Sequence, residues 1–255
     1  MADDRPILVS DFDGTVYRGD DPVRHYARQV AAALPREEAG GLLDTFERFL
    51  AEGIAAAGSA ATPAEARALR AAQDGWGLVQ LLAADLGLAE AVTQQAFLDS
   101  RIHMLDEACA LDVVEPLVAH FAALRGDGRV RVVLATNSPP EGLAPLLVRM
   151  GLTDAFDEVV PAAGKPAGLR SWMARALGGR PASALFSLGD HYRNEIEPAV
   201  AIGAATGYID RFGRADGPAT ATAERVEDLL PALTTWALAP AVGHAPSLDS
   251  EHTNV

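Results

Sequence analysis

The chain has 255 residues, of which 49% are hydrophobic and 22% charged, as is usual for a globular protein of one or two domains. Its net charge of −14 disfavours nucleic-acid binding. The same charge repels anionic substrates, so any phosphate site must supply its own local positive charge. Cys109 is the only cysteine, which excludes an intrachain disulfide and a cysteine-based zinc cluster. The first residues lack a signal-peptide pattern and no apolar run could span a bilayer, so we expect a cytoplasmic protein with no membrane partner.

The first apolar run, Ile7-Leu8-Val9, leads directly into two closely spaced acids, Asp11 and Asp13. Such a run is typical of a buried parallel strand, and the alternation of side chains lets both carboxylates lean to one side. Two acids this close repel each other unless a cation or a shared proton holds them. The pair indicates a Mg²⁺ site or nucleophilic and acid/base chemistry. Taken alone, it is equally consistent with an acidic Asp-Gly turn.

Residues 17–111 have the pattern of helices and few strand signals. Apolar side chains recur at spacings of three and four through residues 42–54, which predicts one amphipathic helix. Thr62 and Glu65 form a capping box with Pro63 at the first helical position, and further helices are expected around 77–86 and 89–107. We interpret the apolar stripes as the core of a helical unit.

Residues 112–238 instead alternate between strand and helix. Strands are predicted at 130–135, 158–160, 185–188 and 204–209. Helices are predicted near 113–124, from Ser138 by a second capping box, and from Pro166 to Gly178-Gly179. The alternation implies right-handed βαβ units and a parallel sheet.

The first strand is separated from the next by more than a hundred residues of helical pattern. We therefore predict an α/β fold, a Rossmann-like parallel sheet core with an inserted helical cap domain. The core would comprise residues 1–16 and 112–239, and the cap residues 17–111. Residues 240–255 lack periodicity and are predicted to be a disordered tail.

Polar residues follow four of the predicted strands, at the sheet edge where ligands bind in open α/β folds. Asp11 and Asp13 follow the first strand, Thr136-Asn137-Ser138 the second, Lys165 the third, and Asp190 the fourth. Singly, the last three clusters are explained as a helix cap, a loop lysine and a turn residue. Together, the carboxylates can hold a hard cation, and the hydroxyl, amide and lysine can hold a phosphoryl group.

With these four motifs in this order, the chain resembles the haloacid dehalogenase (HAD) superfamily, most of whose members are phosphatases. The motifs are Asp-Phe-Asp-Gly-Thr-Val at 11–16, Ala-Thr-Asn-Ser at 135–138, Gly-Lys-Pro at 164–166 and Gly-Asp-His-Tyr-Arg-Asn-Glu at 189–195. Because the long insertion follows the first motif, the resemblance points to the helical-cap (C1) type.

The resemblance implies a catalytic role for each matching residue. Asp11 would attack the substrate phosphorus, and Asp13 would protonate the leaving alcohol and then activate water. Thr136 would hydrogen-bond the phosphoryl group with help from the Asn137 backbone, and Lys165 would neutralise charge.

The same resemblance implies a Mg²⁺ ion held by the Asp11 carboxylate, the Asp13 backbone carbonyl and Asp190. Glu195 stands where aspartate is more usual in the family, so its place at the metal is left open. His191 lies within the same motif, but beside so many carboxylates it has no reason to be a ligand.

We therefore expect a hydrolase, a Mg²⁺-dependent phosphatase that acts on a small phosphorylated metabolite through an aspartyl-phosphate. A halide leaves without a proton and the family's dehalogenases lack an aspartate at this position, so Asp13 argues against dehalogenation. A phosphomutase and a non-catalytic HAD-fold binding protein are the alternatives. Lys165 is the only lysine, which leaves the cap without the Schiff-base lysine of a phosphonatase.

The sequence specifies neither the ester nor the oligomeric state. Six residues near the hinge or in the cap could contact substrate, although each is more simply explained as structural: Tyr17, Arg18, Arg70, Trp76, Arg101 and His103.

Overall fold

A six-stranded parallel sheet is the centre of the computed structural model, which describes residues 3–239. The predicted tail at 240–255 lies outside the described residues. The sheet has the order β5-β4-β1-β6-β7-β8, and β2 and β3 form a separate antiparallel ribbon. In chain order the strands are β1 (Ile7–Ser10), β2 (Tyr17–Arg18), β3 (Asp112–Val113), β4 (Arg131–Ala135), β5 (Glu158–Val160), β6 (Leu185–Gly189), β7 (Ala205–Ile209) and β8 (Ala221–Ala223). The predicted α/β fold class is confirmed.

Both faces of the sheet are buried, as the continuous apolar runs of its strands require. Along β1, Leu8 packs into a cluster on one face, whereas Ile7 and Val9 pack into a cluster on the other. β1 lies between β4 and β6, so the connections diverge on either side of it. This reversal of strand order places the carboxyl end of β1 at the crevice where ligands bind in such sheets.

Along the chain, a helical segment of residues 21–103 separates β2 from β3, the two strands of the ribbon. Its apolar stripes bury one another in a separate cluster that includes Tyr26, Phe46 and Leu78. The predicted capping box is present, because the Thr62 hydroxyl accepts from the Glu65 N–H at 3.1 Å. Its elements are α1 (Asp21–Ala31), α2 (Arg36–Glu52), a 3₁₀ turn (Gly53–Ser59), α3 (Pro63–Ala71), α4 (Gly75–Asp85) and α5 (Glu90–His103).

The remaining helices cover the two faces of the sheet. Trp172 and Met173 pack with Ile7 on one face, and Phe121 and Leu233 pack with Leu8 on the other. The helices are α6 (Glu115–Gly126), α7 (Leu143–Arg149), α8 (Ala167–Leu177), α9 (Glu197–Val200) and α10 (Leu230–Leu238), with short turns at Ala182–Ala184, Tyr192–Ile196 and Val226–Leu229.

The predicted helix start at Ser138 is wrong. α7 begins only at Leu143, after Gly142 with a φ of 80°, and no side chain caps it. Ser138 and Pro139 each precede a proline, which disfavours the helical conformation. The Ser138 hydroxyl donates instead to Asp13 Oδ2 at 3.4 Å, so a side chain predicted to be a local cap makes a long-range contact.

Within residues 3–239, we find no helix with the length and apolar character needed to cross a membrane.

Candidate active site

The carboxyl ends of the central strands open into a cavity of ~230 Å³. β1 is followed by Asp11 and β4 by Thr136, and the loop after β6 begins with Asp190. The helical segment forms the opposite wall. Six predicted site residues line this one cavity: Asp11, Asp13, Thr136, Asn137, Lys165 and Asp190.

Lys165 joins two buried carboxylates in the floor of this cavity. Its ammonium donates to Asp11 Oδ1 at 2.5 Å and to Glu195 Oε1 at 3.0 Å. Burial raises the pKa of Asp11, and burial likewise raises the pKa of Glu195 to about 8, because one ammonium cannot neutralise two buried carboxylates. Burial opposes the charge of Lys165 itself, but the adjacent carboxylates outweigh it and raise its pKa.

Glu195 has a structural role that the sequence left open. Besides contacting Lys165, it accepts a hydrogen bond from the backbone N–H of His191 at 3.0 Å. Gly189 allows this close approach, because a Cβ there would lie 2.6 Å from the Glu195 side chain. Glu195 therefore orders the loop after β6 and holds the ammonium of Lys165 beside Asp11.

Asp13 is held by donors from three separate parts of the chain. Tyr17 donates its hydroxyl to Asp13 Oδ1 at 2.5 Å, and Arg101 Nη1 lies 2.7 Å from the same oxygen. Ser138 contacts Oδ2. Burial and the neighbouring Asp13 charge raise the pKa of Tyr17, so its hydroxyl stays protonated and donates.

Arg101 enters the cavity from α5 and is only 9% exposed. The guanidinium carbon lies 4.8 Å from the ring centroids of both Trp76 and Phe97, and Nη1 also donates to Ser138 at 3.2 Å. Although burial opposes its charge, Asp13 raises its pKa. The sequence indicated Arg101 only as a possible contact, because nothing near it predicts an ion pair with a residue 88 positions away.

Thr136 and Asn137 are braced by backbone hydrogen bonds. Thr136 Oγ1 accepts from the Ser138 N–H at 3.0 Å, which leaves its own proton available for a ligand. Asn137 Oδ1 accepts from the Lys165 N–H at 2.8 Å, so it links the ends of β4 and β5. Both residues therefore position the groups around Asp11.

The oxygen donors fit a hard divalent cation such as Mg²⁺. Burial, together with the charges of Asp11 and Glu195, raises the pKa of Asp190 well above its usual range. We find no hydrogen bond to its carboxylate within residues 3–239. Gly14, with a φ of 79°, packs so close to Asp190 that a Cβ would collide with the carboxylate. Asp190 and Asp11, with the Asp13 carbonyl, are the residues that could hold the ion.

His191 lines the cavity but is engaged by its own loop. Its Nδ1 accepts from the Asn194 N–H at 3.3 Å, and burial lowers its pKa. It therefore contributes no fixed positive charge to the cavity.

The other residues singled out in the sequence lie in different places. Tyr17 and Arg18 line an adjoining cavity of ~280 Å³ that also reaches Asp13, and Trp76 lines both cavities. Arg70 and His103 line neither cavity. The His103 ring stacks on that of His25 at a centroid distance of 4.2 Å.

Comparison with known proteins identifies the family. The family model for haloacid dehalogenase-like hydrolases matches residues 6–203, and the chain belongs to this family. The predicted class of enzyme, a hydrolase, is therefore confirmed. No curated protein matches the chain.

Solved structures with the same fold cover nearly the whole chain at low identity. The HAD-hydrolase YfnB from Bacillus subtilis, bound to magnesium, has 15% identity and a TM-score of 0.57, with 90% of this chain and 98% of that one covered. A predicted phosphoglycolate phosphatase from Haemophilus somnus has 16% identity and a TM-score of 0.57, covering 91% and 99%. The L-2-haloacid dehalogenase RSc1362 has 17% identity and a TM-score of 0.54, covering 92% and 100%. Because both activities occur among these proteins, the likeness shows the fold alone.

Proposed function

We propose that this hydrolase is a Mg²⁺-dependent phosphatase that cleaves a small phosphomonoester through an aspartyl-phosphate on Asp11. The observation that carries the proposal is Asp13, whose carboxylate lines the same cavity as Asp11 and is held by Tyr17, Arg101 and Ser138. An alkoxide leaving group needs a proton whereas a halide does not, so an acid at this position favours ester cleavage over dehalogenation.

The first step forms a bond between Asp11 and phosphorus. Because Lys165 holds Oδ1 of Asp11, the other carboxylate oxygen is the attacking atom. As the Asp11–phosphorus bond forms, the ester P–O bond breaks and Asp13 delivers a proton to the leaving oxygen. The alcohol then departs.

The second step returns both aspartates to their starting states. Asp13 takes a proton from water, the water oxygen bonds to phosphorus, and the bond between phosphorus and Asp11 breaks. Inorganic phosphate is released, and Asp13 is protonated for the next turnover.

Positioning and charge neutralisation provide the rest of the catalysis. The available Thr136 hydroxyl donates to a phosphoryl oxygen, and Lys165 offsets charge on the nucleophile and the phosphoryl group. Asp11, Asp190 and the Asp13 carbonyl would hold Mg²⁺, which supplies further neutralisation of these charges when bound. We assign the helical segment the role of a cap that excludes bulk water and contacts the leaving group.

A panel of phosphomonoesters and 2-haloacids with Mg²⁺ tests the proposal. We expect phosphate release, no halide release, and loss of turnover in Asp11→Asn. Asp44→Asn removes an exposed acid that lines neither cavity and is the matched control. Halide release, or absence of phosphate release from every ester, would refute the proposal.

A further inference from the structure

Three side chains of different chemistry converge where the two ends of the helical segment meet. α1 begins at Asp21, α5 ends at His103, and Cys109 lies shortly before β3. One oxygen, nitrogen or sulfur atom of each lies within 4.8 Å of the other two. None of the three lines either cavity, so this cluster is separate from the candidate active site.

The distances within the cluster match those between the ligands of a metal ion. Asp21 Oδ2 and His103 Nε2 are 3.4 Å apart, beyond the usual range of about 2.7–3.2 Å for an N–H···O hydrogen bond. An oxygen and a nitrogen bound to one tetrahedral zinc ion lie about 3.3–3.5 Å apart. Binding therefore requires only that the outermost atom of the cluster moves inward by roughly 1 Å.

Neighbouring groups orient the carboxylate and the imidazole. The Ala110 N–H donates to Asp21 Oδ2 at 3.1 Å. The His25 ring stacks on the His103 ring at a centroid distance of 4.2 Å, which restricts the plane of the imidazole. Groups that fix the direction of a ligand in this way are typical of metal sites.

The loop that carries Cys109 is anchored to the end of α7. Arg149 donates to the carbonyl oxygen of Met104 and to that of Cys109, each at 2.7 Å. Both ends of the loop are therefore held by one guanidinium. The thiol is buried, whereas Asp21 and His103 are partly exposed, so an ion can reach the cluster from solvent on their side.

The ligand types favour zinc over magnesium. Mg²⁺ takes oxygen ligands, whereas thiolate and imidazole prefer zinc and similar transition metals. A single cysteine is too few for a cysteine-based cluster, but it is enough for a mixed site with a histidine and a carboxylate. The charges also agree, because a carboxylate, a thiolate and a neutral imidazole balance two positive charges.

We propose that Asp21, His103 and Cys109 form a Zn²⁺ site with water as the fourth ligand. Burial raises the pKa of Cys109 to about 11, so binding releases the thiol proton to solvent as the sulfur–zinc bond forms. Asp21 lies at one end of the helical segment, and the other two ligands lie at or beyond its other end. The ion therefore ties together the two connections of this segment and stabilises the folded chain.

Co²⁺ is the probe for this site, because it occupies zinc sites and its bond to a thiolate gives a charge-transfer band in the near ultraviolet. The experiment uses the full chain without a histidine tag, with excess Mg²⁺ to occupy the proposed catalytic metal site. Cys109 is the only cysteine, so the band reports on this residue alone. We expect one thiolate-bound Co²⁺ per chain, its displacement by Zn²⁺, and a rise in Tm on adding Zn²⁺.

Variants identify the ligands. Loss of a group that only orients a ligand costs about 10–100-fold in metal affinity, so His103→Gln and Cys109→Ser should each cost on the order of a hundredfold or more. His120→Gln is the matched control, because His120 lies outside the cluster and lines neither cavity. Asp190→Asn alters the proposed magnesium site instead. Both of these variants should retain the cobalt band at wild-type affinity.

Absence of the band with Co²⁺ in excess would overturn the proposal. So would a band that keeps its wild-type affinity in His103→Gln or in Asp21→Asn, or a Zn²⁺-induced rise in Tm that is equal in Cys109→Ser. The wild-type spectrum decides even if a variant does not fold. None of these measurements uses turnover, so their outcome is independent of the proposed phosphatase function.

Discussion

Lys165 Nζ lies 2.5 Å from Oδ1 of Asp11, although 154 positions separate the two residues. The contact places the one lysine of the chain against the residue that we propose as nucleophile. Glu195 shares the same ammonium from the other side. The reactivity of Asp11 and the stability of the cavity floor therefore depend on the same cation.

Removing this cation should impair both turnover and folding. In Lys165→Met, Asp11 and Glu195 lose their buried partner, so we expect the free energy of unfolding to fall by about 3 kcal/mol. Urea denaturation and phosphatase assays measure the two effects. Adding Glu195→Gln to Lys165→Met should recover part of the stability but not the activity. If the stability losses of the two single variants simply add in the double variant, Glu195 and Lys165 are not coupled.

Asp13→Asn should impair cleavage of esters whose leaving group needs a proton more than cleavage of esters whose leaving group does not. We expect turnover of alkyl phosphates to fall by about 10²–10⁴-fold. Formation of the aspartyl-phosphate from 4-nitrophenyl phosphate should fall much less, because that leaving group departs without an acid. Rapid-quench measurement of the phosphoenzyme checks this, with Asp44→Asn as the control. Equal losses for both ester types would remove Asp13 from the acid role.

Without magnesium, stability should decrease as the pH rises. The folded protein raises the pKa of Glu195 from 4.5 to about 8, so its protonated form is favoured on folding. That stabilisation is fully present below the unfolded value and is lost as the pH rises through about 8. Raised pKa values at Asp11 and Asp190 act in the same direction. Thermal unfolding in EDTA across this range measures the trend.

Magnesium should reverse this trend by binding the ionised carboxylates of the folded state. We expect the rise in Tm on adding Mg²⁺ to be larger at about pH 8 than at about pH 5, where protonation competes with the ion. Asp190→Asn should reduce the rise. A pH-independent shift, or an equal shift with Na⁺ at the same ionic strength, would argue against a cation site here.

Gly14→Ala should weaken magnesium binding as well as folding. Gly14 has a φ of 79°, and an added Cβ would displace the Asp190 carboxylate. Gly128→Ala is a close control, since Gly128 has a φ of 64° but open space around it. Both variants should lose about 1–2 kcal/mol of stability from backbone strain. Only Gly14→Ala should need more Mg²⁺ for activity, and equal Mg²⁺ requirements would contradict the role given to Asp190.

The fold and most of the candidate site follow from short sequence patterns. Buried strands are apolar runs, and parallel strands direct their ends to one sheet edge. Asp11, Thr136 and Asp190 each come directly after such a strand, so their convergence could be predicted without coordinates. Their chemistry is that of the residue types themselves, carboxylates and a hydroxyl.

Local patterns failed where a side chain has a distant partner. Ser138 has the spacing of a helix cap, but its hydroxyl contacts Asp13. Arg101 sits on a helix whose own sequence gives no reason for burial. The sequence left the place of Glu195 at the metal open, because its contact with Lys165 joins residues 30 positions apart.

The sequence by itself determined the α/β class and the groups at the strand ends, which are carboxylates and a hydroxyl. Both are encoded within a few neighbouring residues. Only the tertiary structure decided which charges pair. Those pairs join residues 30 to 154 positions apart, and their strength depends on burial that arises only when the chain has folded. The pairing of Arg101 with Asp13 is of this kind.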